Sequence, residues 1–115
     1  DPKGNLWFTS DMPGRMIGAE KYESFGNNGL YYVPSKGSDA GKVIQVASAP
    51  VDAEFTGPSF TPDGKTLFLS VQHPGERTTD INECTSNWPD GGSSVPKPSV
   101  VAIQGPLLER IVNAD

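Results

Sequence analysis

Thr61-Pro62-Asp63-Gly64-Lys65-Thr66-Leu67-Phe68-Leu69-Ser70-Val71-Gln72 is the stretch that decides the fold. Its first five residues carry the chemistry of a tight turn. Pro62 presets φ, the Asp63 side chain bonds nearby backbone, and Gly64 accepts a positive φ. The next residues alternate, with Leu67, Leu69 and Val71 on one side and Thr66, Phe68 and Ser70 on the other. In a strand, that pattern commits the aliphatic side to a core. The frame recurs 60 residues earlier: Pro2-Lys3-Gly4-Asn5-Leu6-Trp7-Phe8-Thr9-Ser10 matches Pro62 to Ser70 as Pro-x-Gly-x-x-(large apolar)-Phe-x-Ser. Turn-plus-strand units repeated at intervals of some tens of residues are a signature of propeller blades, each a four-stranded meander.

Working outward, Asn5 to Thr9 reads as a strand, followed by a loop from about Asp11 to Gly29. Leu30 to Val33 and Val43 to Val46 flank a Gly- and Ser-rich turn, so 30–46 reads as a hairpin. Phe55 to Phe60 is a short extended segment before the deciding turn. A polar loop from His73 to Lys97 precedes a last clear strand, Ser99 to Ile103. The tail Leu107 to Val112 fits a strand or a short helix equally. Phe8, Tyr32, Val46, Val101 and Ile103 complete the expected core. The second copy of the repeat has an extended segment before it and the first has none, so the chain is expected to begin partway through a blade. The fold expectation is all-β: a β-propeller fragment of about two antiparallel blades with long loops, one near 1–50 and the next over 51–115.

Composition agrees. Of 115 residues 35% are hydrophobic, and Gly 13 with Pro 11 suit short strands and many turns rather than long helices. The net charge of −5 disfavours nucleic acid and anionic membranes, which need a basic patch. Cys84 is alone, which leaves no intrachain disulfide and no cysteine metal cluster. No run approaches the ~20 apolar residues of a membrane span. The opening Asp1-Pro2 suggests a start inside a longer protein, or a processed end. Gly-x-Ser-x-Gly, Walker and dinucleotide fingerprints do not occur, so serine-nucleophile and nucleotide-fold readings lack support.

Glu54 to Phe68 (Glu-Phe-Thr-Gly-Pro-Ser-Phe-Thr-Pro-Asp-Gly-Lys-Thr-Leu-Phe), followed by Val71-Gln72-His73-Pro74-Gly75-Glu76, resembles the PhoX family of bacterial alkaline phosphatases. Gly4-Asn5-Leu6-Trp7-Phe8 ending in Asp11, Thr85-Ser86-Asn87-Trp88-Pro89-Asp90-Gly91, and Pro98 to Ile103 fall in the family's order near its C-terminus. The resemblance implies a six-bladed propeller, exported by the twin-arginine route to the periplasm or beyond, that hydrolyses phosphate monoesters with calcium and iron. It also implies that the iron-bridging cysteine and most metal ligands lie in earlier blades. Cys84 is therefore not given that role, and the isolated chain is expected to be inactive. Two other readings stay open: a non-catalytic propeller segment for binding or scaffolding, and a single-calcium propeller hydrolase of lactonase type.

Four residues are the metal-ligand candidates. Glu54 alone reads as a solvated loop glutamate, since charged side chains are mostly exposed; the resemblance places it on an innermost strand facing the channel. Asp11, at the end of the first strand, fits either a channel mouth or a turn-initiating aspartate. His73, the one histidine, fits a metal or phosphate contact, or a structural hydrogen bond. Glu76, three residues on, fits pairing with His73 or a calcium ligand. Asp80, Asn82, Glu83, Asn87 and Asp90 lack the spacing of a calcium loop and read as solvated. Trp7 and Trp88 read as packing residues.

Overall fold

The computed structural model describes residues 1–113, which form two three-stranded antiparallel sheets and a C-terminal helix. Strands β1 (Leu6–Thr9), β2 (Gly29–Val33) and β3 (Ile44–Ser48) make the first sheet in that order. Strands β4 (Glu54–Phe60), β5 (Thr66–Gln72) and β6 (Ser99–Gln104) make the second. Each is a meander, as neighbouring blades require. The loop after β1 contains short 3-10 turns at Gly14–Met16 and Glu20–Phe25. The ambiguous tail is a helix, α1 (Pro106–Val112). Pro106 suits its first turn, where no amide donor is needed, and Leu108 and Val112 bury one face four residues apart.

Register sets the core. Leu67 lies opposite Phe60 on β4 and Ile103 on β6, while Leu69 faces Val101 and Val71 faces Phe55. Leu67, Leu69 and Val71 are 0–1% exposed, whereas Phe68 between them is 42% exposed. Tyr32 is buried with them, and Val46, Val101 and Ile103 pack against the same cluster from half-buried positions. Trp7 joins the two sheets, its ring centroid 5.0 Å from that of Tyr32 and 5.0 Å from that of Phe60. Phe8 departs from the expectation. Neighbouring strand residues point to opposite faces, so placing Trp7 inward turns Phe8 outward. There it is half-buried and stacks on Tyr31 at 5.2 Å.

The repeat is visible as geometry. The Gly4 amide donates to the Asp1 carbonyl at 3.0 Å, and the Gly64 amide donates to the Thr61 carbonyl at 2.9 Å. Both glycines have positive φ, 83° and 70°. A Cβ on Gly64 would lie 3.1 Å from Val112 and 3.6 Å from Pro2, so the two turns sit side by side with the end of α1 against them. Strands β1 and β5 leave that end together. They finish at the opposite end, where the antiparallel β2 and β4 begin, and the candidate residues gather there.

Candidate metal site

Glu54 opens β4 and pairs across the ladder with Gln72, the last residue of β5. It is 8% exposed, unusually buried for a carboxylate. His73 follows Gln72 with a left-handed φ of 36°, and its Nε2 stands 3.6 Å from Glu54 Oε1. The other ring nitrogen, Nδ1, is buried with no hydrogen-bond partner. Asp11, just beyond β1, sets its carboxylate beside Glu54. Burial and then the Asp11 carboxylate push the Glu54 carboxyl above its ordinary pKa, and the His73 imidazole opposes the rise. Two carboxylates held together repel when ionised, and a cation between them relieves both the repulsion and the lost hydration.

The donor set fits that role. Carboxylate oxygens suit hard divalent and trivalent ions, and imidazole nitrogen suits iron. Yet among the described residues no group of three or more His, Cys, Asp or Glu is arranged to hold an ion by itself. Asp11, Glu54 and His73 converge without making up such a group. Glu76 does not join them. Its exposed carboxylate accepts the Gly14 backbone N–H at 3.2 Å, tying the 3-10 turn after Asp11 to the loop after His73.

Three further residues build this end, none of them singled out by the sequence. Asn28, immediately before β2, is 2% exposed. Its Oδ1 accepts from the Met12 amide at 2.6 Å and from Ser10 Oγ at 3.1 Å. Its Nδ2 donates to the Met12 carbonyl at 3.0 Å and the Ala53 carbonyl at 3.4 Å. Asp52, also 2% exposed, takes a left-handed φ of 55° and receives Arg77 Nε at 2.7 Å and Nη2 at 2.6 Å on the single oxygen Oδ1. The Gly75 and Glu76 amides bond back to the Val51 and Asp52 carbonyls, extending the β4–β5 ladder past Glu54 and His73. An Asn-Asn-Gly run before a strand reads as turn chemistry, and nothing in it signals full burial.

Burial alone would raise the Asp52 carboxyl, but Arg77 together with the Thr85 hydroxyl outweighs it and the net shift is downward. A depressed folded-state value stabilises the fold above the unfolded pKa, near ~4. That stability is lost as pH falls through the lower folded value. Asp52→Asn should therefore cost about 1–2 kcal/mol at neutral pH, the low end for a charged hydrogen bond because Arg77 is half exposed. Urea midpoints should differ between wild type and variant at pH 7 and converge as pH drops below ~4.

Several side chains of the long loop after β5 are engaged within it. Asp80 Oδ1 accepts from the amide and side chain of Asn82, Asp90 pairs with Lys97 at 2.7 Å, and Cys84 Sγ lies 3.2 Å from the Ile81 carbonyl. Among the described residues, no helix is long and apolar enough to cross a membrane.

The family model described as "Alkaline phosphatase PhoX" matches residues 1–75, a range that holds Asp11, Glu54 and His73 and stops short of Glu76. No curated protein matches the chain. Among solved structures, PhoX of Pseudomonas fluorescens in complex with vanadate, a transition-state analogue, is 33% identical with a TM-score of 0.73. The alignment covers 90% of this chain and 16% of that one, so this chain spans a small part of its relative's length. That likeness agrees with two sheets that are blades of a β-propeller. A match over well over half the chain, joined to that structural likeness, makes this chain a member of the PhoX alkaline phosphatase family.

Proposed function

We propose that this segment is the C-terminal part of a metal-dependent phosphatase that hydrolyses phosphate monoesters with calcium and iron in the periplasm or outside the cell. The carrying observation is the convergence of Asp11, Glu54 and His73 at one end of the two sheets, in a chain whose solved relative holds vanadate. Bound cations in such a site polarise phosphoryl oxygens and offset the charge that develops in the transition state. The chain's own part is to supply anionic oxygen from Glu54 and Asp11 and a ring nitrogen from His73. Glu76 lies a step away, on the Gly14 amide, and contributes through the loop it holds or as a more distant ligand. The remaining shell comes from blades outside this segment, which makes the isolated chain inactive.

The test uses p-nitrophenyl phosphate. A full-length protein carrying this segment should turn it over within the ordinary enzymatic range of about 1–10³ s⁻¹ and lose activity to a chelator. The isolated chain, supplied with calcium and ferric iron, should give no turnover above the metal-only blank. Comparable turnover by the isolated chain would refute the division of the site between blades. A full-length protein indifferent to chelation would refute the metal dependence.

A further inference from the structure

We infer that Asn28 is the positioning residue that fixes the spacing between Asp11 and Glu54, an inference that rests on the cation reading of that pair. Asp11 lies between the two residues that the Asn28 oxygen clamps, Ser10 and Met12. Glu54 follows Ala53, whose carbonyl accepts a hydrogen bond from the N–H of the same carboxamide. One side chain thus binds both backbone segments that carry the carboxylates, from a position shielded from water.

The chemistry calls for a carboxamide. The Met12 amide and Ser10 hydroxyl need an acceptor, while the Met12 and Ala53 carbonyls need a donor. A neutral amide supplies both on one planar group. An apolar residue would leave these buried groups unpaired, and a carboxylate would turn an oxygen toward two carbonyl oxygens. Holding two like charges together needs such a clamp, because without a cation they separate given any freedom. With its polar atoms already engaged on protein groups, Asn28 acts on the ion through Asp11 and Glu54 and does not ligate it.

The test is Asn28→Asp in a full-length protein carrying this segment, read first as calcium and ferric iron affinity by titration well below the melting temperature. Affinity should fall about 10–100-fold, the scale for an outer-shell partner, and saturating metal should restore most of the phosphatase activity. In an Asp11→Asn background the same change should add little, because the spacing it sets no longer matters. Asn28→Ser, which keeps one donor and one acceptor on a shorter arm, serves if the aspartate variant does not fold. A lowered melting temperature with unchanged metal affinity would make Asn28 a packing residue and overturn the inference. If Asp11→Asn and Glu54→Gln also leave metal affinity unchanged, the cation reading itself falls and carries this inference with it. If those two weaken metal binding and Asn28→Asp does not, the positioning role alone is wrong.

Discussion

Leu69→Ala should destabilise the fold by about 2–5 kcal/mol, measured as the change in unfolding free energy from urea titration. Leu69 is 1% exposed at the centre of β5, facing Val101 across the ladder and packed in the cluster that joins both sheets. Truncating it removes three carbons' worth of contact and leaves a cavity that two paired strands cannot collapse to fill. That cost is a large share of the total for a domain this small, where net stability is about 0.05–0.15 kcal/mol per residue. Phe68→Ala, one residue away, is the internal control. Its ring is 42% exposed, so removal from the isolated chain should cost about 1 kcal/mol or less. In a full-length propeller a neighbouring blade covers such a face, and the same substitution should then cost more. Equal costs for Leu69 and Phe68 in the isolated chain would contradict the assignment of faces.

The strands were legible because each reports itself locally. Leu67, Leu69 and Val71 alternate without interruption, and the Pro-x-Gly turns fix where β1 and β5 begin. The same alternation, applied to Trp7 and Phe8, would have chosen one of them for the core. Two adjacent aromatics leave that choice to register, and register depends on β2 and β4. Helix α1 was ambiguous because seven residues span barely two helical turns; packing of Leu108 and Val112 decides it.

The site divides in the same way. Glu54 could be singled out through the family resemblance, and Asp11 and His73 by their places just after strands, while their meeting depends on three chain segments separated by up to 62 residues. Asn28 and the Asp52–Arg77 pair were silent. Each does its work through burial and backbone bonds to distant segments, and a sequence of polar loop residues carries no mark of either. Glu76 was legible as a carboxylate near His73. Its partner, the Gly14 amide, could not be anticipated from residues 62 positions apart.

Glu54→Gln, in a full-length protein carrying this segment, should lower metal affinity and phosphatase activity together, by at least the 10–100-fold that an outer-shell change produces. The substitution keeps the shape of the side chain and its place at the head of β4. It removes the negative charge that a hard cation seeks and replaces one carboxylate oxygen with a donor that faces the ion wrongly. It also ends the repulsion with Asp11, so the metal-free protein should be no less stable than wild type, and more stable if the two carboxylates are strained against each other. The combination of weaker metal binding and undiminished metal-free stability is hard to obtain from misfolding, which would lower both. Excess calcium or iron should recover part of the activity, since a lost ligand weakens binding by mass action without removing the remaining shell. Elemental analysis separates a ligand from a general base. Turnover abolished with metal content at the wild-type level would assign Glu54 to proton transfer, and the ligand role would be wrong.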